Sequence, residues 1–329
     1  MEKITTNLLA GVAFAVTIAI PAWYSGVQIP LIGGPVFGIL FGMILAFRQR
    51  SDIFTAGIRF AAKNILQYSI ILLGFEMNLF QVFIVGSQSL FVMIFTLSAA
   101  FITAWLAGKY LGLPGTTSTL IGVGTAICGG SAIAAAAPAI KASEKDIAYS
   151  ISTIFLFNII AVFIFPFLGH LLHMSDLGFG MWAGTAINDT SSVVAAGYSY
   201  SQPAGSFATI VKLTRTLMIV PVTLTLSLIT VGKNSRNSTF SLVKSFPWFI
   251  LGFLLTSIIS TTGVLPSPVC SCLAQTGRFF IIVAMAAIGL NTNLRQLVHK
   301  GIKPVLLGLS CWLAVAAVSL AVQNYLRLW

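Results

Sequence analysis

Eleven apolar segments, separated by short polar, glycine or proline breaks, run through the sequence and constrain its fold more than any other feature. A helix needs about 20 mostly apolar residues to cross the hydrocarbon core of a bilayer. Only 8% of the 329 residues are charged, too few to cover a soluble protein of this size. We therefore predict an all-α polytopic membrane protein that forms one transmembrane domain over residues 1–329. Segments 1 to 11 cover residues 8–25, 33–47, 60–78, 84–107, 116–138, 148–171, 178–197, 206–231, 246–264, 274–293 and 302–325.

The basic residues predict how the chain is oriented, since Lys and Arg accumulate in cytoplasmic loops. The net charge is +11, and no basic helix or arm typical of nucleic-acid binding is present. With eleven crossings and a cytoplasmic N-terminus, most basic loop residues lie inside, which predicts a multi-pass protein of the bacterial plasma membrane. An alternative makes segment 5 a re-entrant loop. It brings Lys141 and Lys145 inside, but it moves six other basic residues outside: Lys233, Arg236, Lys244, Arg295, Lys300 and Lys303.

Four ionisable residues lie within predicted spans, where a charge costs about 2.5–3.5 kcal/mol on insertion scales. Lys212, Arg215 and Arg278 are basic, and the first two share a helix face because they are three residues apart. They predict a positive pocket for an anion. Asp189 is the acidic residue predicted to lie deepest, and it could bind a coupling Na⁺ or carry H⁺. The alternatives are that the basic side chains snorkel to the interface and that Asp189 forms a structural ion pair with Lys212 or Arg215.

Two interrupted segments predict a substrate site near the bilayer midplane. Residues 124–135 closely resemble residues 184–195, and residues 74–81 resemble residues 289–296. A leading helix (8–25) and two inverted five-helix repeats (about 33–171 and 178–325) would pair segment 5 with segment 10, each broken to expose N–H groups to an anion. The alternative is a Gly/Ala packing face. The predicted substrate-binding residues are Cys128, Gly129, Gly130, Ser131, Asn188, Thr190, Ser191, Lys212, Arg215, Arg278, Asn291 and Asn293.

These motifs resemble those of the YeiH-type family of bacterial membrane proteins, which are described as sulfate exporters. The resemblance spans nearly the whole chain and includes residues 124–132, 183–197, 211–218 and 286–293, with Gly301–Pro304 after them. It implies the inverted-repeat fold of bile-acid/sodium symporters and sodium/proton antiporters, with crossed discontinuous helices. Members that carry a His-Glu pair differ from this chain, which has Asn188 and Asp189, so Na⁺ and H⁺ both stay open as coupling ions.

The function that these patterns favour is secondary active transport of a small anion, either sulfate or an organic sulfonate or carboxylate. The bilayer and the anion are the expected partners, a homo-oligomer is left open, and we expect neither a cofactor nor a structural metal. An anion channel or a membrane sensor is the alternative. An intramembrane enzyme is least favoured, because one buried Asp excludes a two-aspartate protease and the three histidines lie at membrane edges: His170, His173 and His299.

Overall fold

The computed structural model describes residues 2–29, 33–46, 51–231, 248–292 and 302–329. Within these ranges the chain is helical and contains no β-strand. Six helices are long and apolar enough to cross a membrane, judged by length and composition. The prediction of an all-α, polytopic membrane protein is therefore confirmed at this level.

In the described parts of the chain we number fifteen α-helices in chain order. A π-helical turn, Ala61–Ile65, joins α3 to α4, and short 3₁₀ turns cover Asp52–Phe54 and Gly74–Glu76. The helices are α1 (Glu2–Gln28), α2 (Gly34–Ala46), α3 (Thr55–Phe60), α4 (Leu66–Leu73), α5 (Leu79–Tyr110), α6 (Gly115–Ala126), α7 (Gly130–Ala139), α8 (Glu144–Leu171), α9 (Asp176–Ala186), α10 (Thr190–Tyr200), α11 (Gln202–Leu217), α12 (Ile219–Val231), α13 (Trp248–Thr262), α14 (Ser267–Asn291) and α15 (Ile302–Tyr325).

Serine residues begin three of these helices. The hydroxyls of Ser143, Ser175 and Ser201 accept hydrogen bonds from the backbone N–H three residues later, at 3.2, 3.1 and 3.0 Å. Each serine satisfies an N–H group that the first turn of a helix leaves without a partner. The sequence thus places the starts of α8, α9 and α11.

Helices α6 and α7 form a hairpin, which we call hairpin 1, and they do not cross the protein. Thr116 donates a hydrogen bond of 3.2 Å to Asp146, and Thr117 also donates to the Asp146 carboxylate. Asp146 lies in the first turn of α8, directly after α7. A Cβ built on Gly124 of α6 would lie 2.8 Å from the Ile133 side chain of α7, so the two helices lie side by side. The chain therefore leaves one end of the molecule and returns to it.

Helices α9 and α10 form a second hairpin, hairpin 2. Ser201, after α10, donates a hydrogen bond of 2.5 Å to Asp176 at the start of α9. The Tyr200 hydroxyl donates to the Met174 carbonyl at 2.5 Å, and the Tyr200 ring stacks on Phe179 with centroids 4.0 Å apart. The last turn of α10 thus lies beside the first turn of α9.

The two hairpins enter the molecule from opposite ends, because α8 runs from the base of one to the base of the other. Asp146 at its start contacts hairpin 1, and the His170 ring at its far end stacks on Tyr200 of hairpin 2, with centroids 4.2 Å apart. We call these ends A and B. The tips meet between them, since a Cβ on Gly129 would lie 3.5 Å from Cβ of Asp189.

This arrangement corrects two expectations. Segments 5 and 7 form hairpins, so the prediction that each of them crosses the membrane is wrong. The alternative with one re-entrant loop was incomplete, because a second hairpin restores the direction of every later helix. Helix α14 ends at Asn291, and the tip of hairpin 1 meets the interruption of segment 7 at Asp189. Asn293 lies outside the described residues.

The helices pack as two groups, which we call the hairpin bundle (α5–α12 and α15) and the scaffold bundle (α1–α4, α13 and α14). The core of the hairpin bundle is a cluster of buried side chains around both hairpins. In the scaffold bundle the Gly38 and Gly42 positions of α2 press on the α14 backbone, where a Cβ on Gly42 would lie 2.3 Å from the Ala286 carbonyl oxygen. Another cluster, which includes Val36, Val194 and Ile281, joins α2, α10 and α14 across the two bundles.

Candidate functional site between the hairpin tips

Each hairpin tip places both kinds of helix end in the middle of the molecule. In hairpin 1 the chain passes from the C-terminus of α6 to the N-terminus of α7 through Ile127–Gly129, and Gly129 has φ of +70°. In hairpin 2 it passes from α9 to α10 through Ile187–Asp189. A helix C-terminus carries a partial negative charge and an N-terminus a partial positive one. The carbonyls at the C-terminal ends of the tips therefore need hydrogen-bond donors, and the N–H groups at the N-terminal ends favour an anion.

Lys212 and Arg215 donate to the C-terminal ends of both tips. The Lys212 ammonium donates to the carbonyls of Ile127, at 2.7 Å, and Ile187, at 3.0 Å. Arg215 donates from Nε to the Ala126 carbonyl at 2.6 Å, and its other nitrogens donate to the carbonyls of Thr125, Gly184 and Ile187. Both side chains are 0% exposed. They stabilise the negative helix ends of hairpins 1 and 2 together.

The N-terminal ends of the tips border a cavity of about 340 Å³, which we call the tip cavity. Hairpin 1 contributes Gly130 and Ser131, and hairpin 2 contributes Asp189, Thr190 and Ser191. The scaffold bundle faces them across the cavity. The other lining residues are Ala62, Lys63, Leu66, Gln67, Ile70, Ile151, Ile154, Phe155, Asn158, Phe249 and Ile288.

Asp189 begins α10 and holds the tip in shape. Its carboxylate accepts hydrogen bonds from the Ser191 N–H, at 3.0 Å, and from the Ser191 hydroxyl. Its own N–H donates to the Asn158 side chain at 3.1 Å. In the described parts of the chain Asp189 forms no ion pair with Lys212 or Arg215; the ion pair found there joins Arg278 to Glu76. The carboxylate is half-buried and lines the tip cavity.

Cys128 and Asn188 occupy equivalent positions at the two tips. Both are buried, at 2% and 1% exposure, and neither lines the tip cavity. Within the described ranges the Asn188 amide has no hydrogen-bond partner for its nitrogen or its oxygen. Seven of the predicted substrate-binding residues therefore meet at the tips, and four of those seven line the tip cavity: Gly130, Ser131, Thr190 and Ser191.

Arg278 lies far from this group, near end B. It donates to both oxygens of Glu76 and lines a second cavity of about 320 Å³ between α10 and the scaffold helices α1, α2 and α14. Tyr198 and Ser199 line the same cavity from α10. Asn291 ends α14 and does not line the tip cavity.

Three polar residues that the sequence did not single out line the tip cavity. Lys63 lies in the π-helical turn and is exposed, and Gln67 follows one turn later in α4. Asn158 is 3% exposed in the middle of α8. A buried amide in an apolar segment is a signal that could have identified Asn158. Lys63 gave no such signal, because a lysine near a segment end is typical of a cytoplasmic loop.

The described residues offer no group of three His, Cys, Asp or Glu side chains that could hold a metal ion. Where the structure describes the chain, the polar atoms of the tip cavity come instead from one lysine, hydroxyls, amides and one carboxylate. Such a set suits a small anion and a monovalent cation or proton better than a transition metal.

Comparisons with known proteins agree with a membrane protein. The family model named "Conserved hypothetical protein 698" matches residues 10–308. A UPF0324 membrane protein of Streptococcus pyogenes serotype M6 is 49% identical over 98% of each chain. A UPF0324 membrane protein of Fusobacterium nucleatum is 45% identical over 98% of this chain and 99% of its own. No solved structure matches the chain.

Proposed function

Since the chain belongs to the Conserved hypothetical protein 698 family, with membrane proteins as relatives, we propose that it is a secondary transporter of a small anion. One observation carries this proposal: the N-termini of α7 and α10 and the side chain of Lys63 border the same tip cavity. Helix N-termini in a low-dielectric site bind anions through free N–H groups and their partial positive charge.

The charges around the tip cavity support an anion as substrate. Each helix N-terminus counts for about half a positive charge, and Lys63 adds one, so the polar side carries about two positive charges before Asp189 is counted. Lys212 and Arg215 donate to the opposing C-termini and so prevent these ends from cancelling the field. In this proposal the two buried cations support the site without contacting the anion.

Asp189 is the proposed coupling residue. Ionised, it lowers the positive charge of the tip cavity by one; with a proton or a Na⁺ bound, it lets the cavity keep the full charge for the anion. Binding of the anion and of the coupling ion would then favour each other. The half-buried carboxylate lines the same cavity, so both ligands have access to it.

We place end A on the cytoplasmic side of the bacterial plasma membrane, with the N-terminus inside. Hairpin 1 brings Lys141 and Lys145 to end A, and Lys303 lies beside Gly112 there. Arg327, which follows α15, lies at end B. Basic residues concentrate on the cytoplasmic side of membrane proteins. The tip cavity, with Lys63, would open toward the cytoplasm.

Alternating access would come from movement of the hairpin bundle against the scaffold bundle. Both the tip cavity and the cavity near end B have one wall from each bundle. A relative movement of the bundles would close one cavity while it opens the other, as in transporters built from two opposed units.

The test is anion uptake and counterflow in proteoliposomes, with sulfate and with short organic sulfonates and carboxylates. We expect saturable uptake that follows an imposed H⁺ or Na⁺ gradient. Lys63→Gln should weaken anion affinity on the order of tenfold, since it removes a charged partner without burying a new one. Lys145→Gln, which removes an exposed lysine at the same end, is the matched control and should leave affinity unchanged.

Two outcomes would contradict the proposal. Equal uptake by the Lys63→Gln variant and the wild type would show that the anion does not bind in the tip cavity. Non-saturating currents that follow the membrane potential without a coupling ion would indicate a channel.

A further inference from the structure

The tip cavity has two chemically different sides, and this difference points to its ligand. Its polar groups are the helix N-termini and the hydroxyls of Ser131, Thr190 and Ser191 on the hairpin tips, together with Lys63, Gln67 and Asn158. The rest of the lining is apolar and comes from α4, α8, α13 and α14. It is formed by Leu66, Ile70, Ile151, Phe155, Phe249 and Ile288.

An inorganic anion would leave most of this cavity to water. The cavity measures about 340 Å³, and a water molecule in the liquid occupies about 30 Å³, so there is room for roughly eleven waters. A tetrahedral oxyanion takes the place of only a few of them. The remaining waters would lie against the apolar wall, although an ordered water needs two to four polar partners.

We propose that the ligand is an amphipathic organic anion, with a carboxylate or sulfonate head and an apolar body of about five to eight carbon atoms. This inference rests on the proposed function and narrows its substrate class. The head group binds at the helix N-termini and Lys63. The body displaces water from the apolar wall, which stabilises the complex in proportion to the apolar area that is buried.

The wall residues have the exposure that such contacts require. Ile151 is 36% exposed although it lies on α8, in the interior between the two bundles. Phe155, one turn later, and Ile288 of α14 are half-buried. These side chains line a cavity and so retain apolar surface that a ligand could still cover.

The experiment measures binding to the purified full-length protein, in a non-ionic detergent, of a series of linear alkane sulfonates from methane- to octanesulfonate, with sulfate alongside. We expect each added methylene to tighten binding about fourfold until the cavity is full. Sulfate and methanesulfonate should bind weakest. Sulfate binding as tightly as hexanesulfonate, or binding that does not depend on chain length, would overturn the inference.

Three variants separate the two sides of the cavity. Ile151→Thr should weaken hexanesulfonate several-fold and sulfate less than twofold, because it changes only the apolar wall. Ile164→Thr, also on α8, is the matched control: Ile164 is 40% exposed and does not line the cavity. Lys63→Gln should weaken every member of the series by the same factor. Non-specific partition into detergent would be equal in all variants.

These results also distinguish the two proposals. If sulfate binds with a dependence on Lys63 but chain length has no effect, the anion transporter stands and the organic ligand is wrong. If neither sulfate nor any sulfonate binds, both proposals fail.

Discussion

Replacing Lys212 by methionine tests the role of the buried cations. Methionine has nearly the same length but cannot donate, so the carbonyls of Ile127 and Ile187 each lose their lysine partner. One of these carbonyls lies in each hairpin tip. The substitution therefore removes a connection between the hairpins as well as two hydrogen bonds.

The expected loss of stability follows from these contacts. The Ile127 carbonyl is left without a partner, which costs about 1–3 kcal/mol, whereas the Ile187 carbonyl keeps its hydrogen bond from Arg215. Methionine recovers part of this cost, because no ammonium group has to be desolvated in the folded state. We expect a net loss of about 1–2 kcal/mol. In a chain of this size about 1 kcal/mol corresponds to roughly 2 °C, so Tm should fall by about 2–4 °C.

Thermal unfolding in detergent can be followed with a thiol-reactive dye. Cys128 at the tip of hairpin 1 and Cys311 in α15 are buried, whereas Cys272 is exposed and gives a constant background. The dye therefore reacts with the first two as the hairpin bundle opens. Lys145→Met, which removes an exposed cation near Tyr149, is the control and should leave Tm within about 1 °C.

Two results would refute this reasoning. If Lys212→Met unfolds at the same temperature as the wild type, the carbonyls do not depend on the ammonium group. If the variant keeps its Tm but loses anion binding, Lys212 contacts the substrate directly, as the sequence-based interpretation had it.

Three further predictions concern topology, the tip and coupling. Cysteines can be introduced one at a time at Lys141, Lys303 and Arg327 in a Cys272→Ser background. Those at Lys141 and Lys303 should be labelled from one side of the membrane and the one at Arg327 from the other side. Labelling at Lys141 and Lys303 from opposite sides would contradict hairpin 1. Gly129→Ala forces φ of +70° on a residue with a Cβ and should lower both Tm and the transport rate. Gly263→Ala is the control: it imposes the same backbone strain, at φ of +68°, in open space, and it should leave transport unchanged. Asp189→Asn keeps an oxygen for the Ser191 N–H but removes the charge, so uptake should continue down the anion's own gradient and stop responding to the H⁺ or Na⁺ gradient; an unchanged response would exclude Asp189 from coupling.

Hydropathy predicted the class of the fold but could not separate a hairpin from a crossing. Hairpin 1 consists of helices of 12 and 10 residues, and its combined apolar length equals that of one membrane-crossing helix. The chain direction differs between the two cases, and hydropathy contains no information on direction. The similarity of residues 124–135 to residues 184–195 was the informative signal. The inverted-repeat frame paired segment 5 with segment 10 and therefore did not use this similarity.

The distribution of basic residues among the loops could have distinguished hairpins from crossings. A single re-entrant segment reverses the side of every loop after it, which is why Lys141 and Lys145 were gained only at the loss of six other basic residues. Two re-entrant segments reverse the side twice. Lys141 and Lys145 then join the cytoplasmic group and the later loops keep their place, which strengthens the positive-inside bias that the eleven-crossing prediction had already used.

The free-energy cost of a buried charge indicates that a buried cation must have a partner, but it does not show which group that partner is. Lys212 and Arg215 lie in the interior because the C-termini of α6 and α9 end there, and their carbonyls have no water to bind. The carbonyls of a helix C-terminus in a low-dielectric interior need hydrogen-bond donors, so buried cations near them donate to these carbonyls and not to a substrate. Lys63, nearer to solvent in the π-helical turn, lines the tip cavity, and in the part of the chain that the structure describes no acidic side chain forms an ion pair with it. In a protein with paired hairpin tips, the cation that contacts the substrate is therefore expected beside the N-terminal halves, at a depth where the sequence alone suggests a loop.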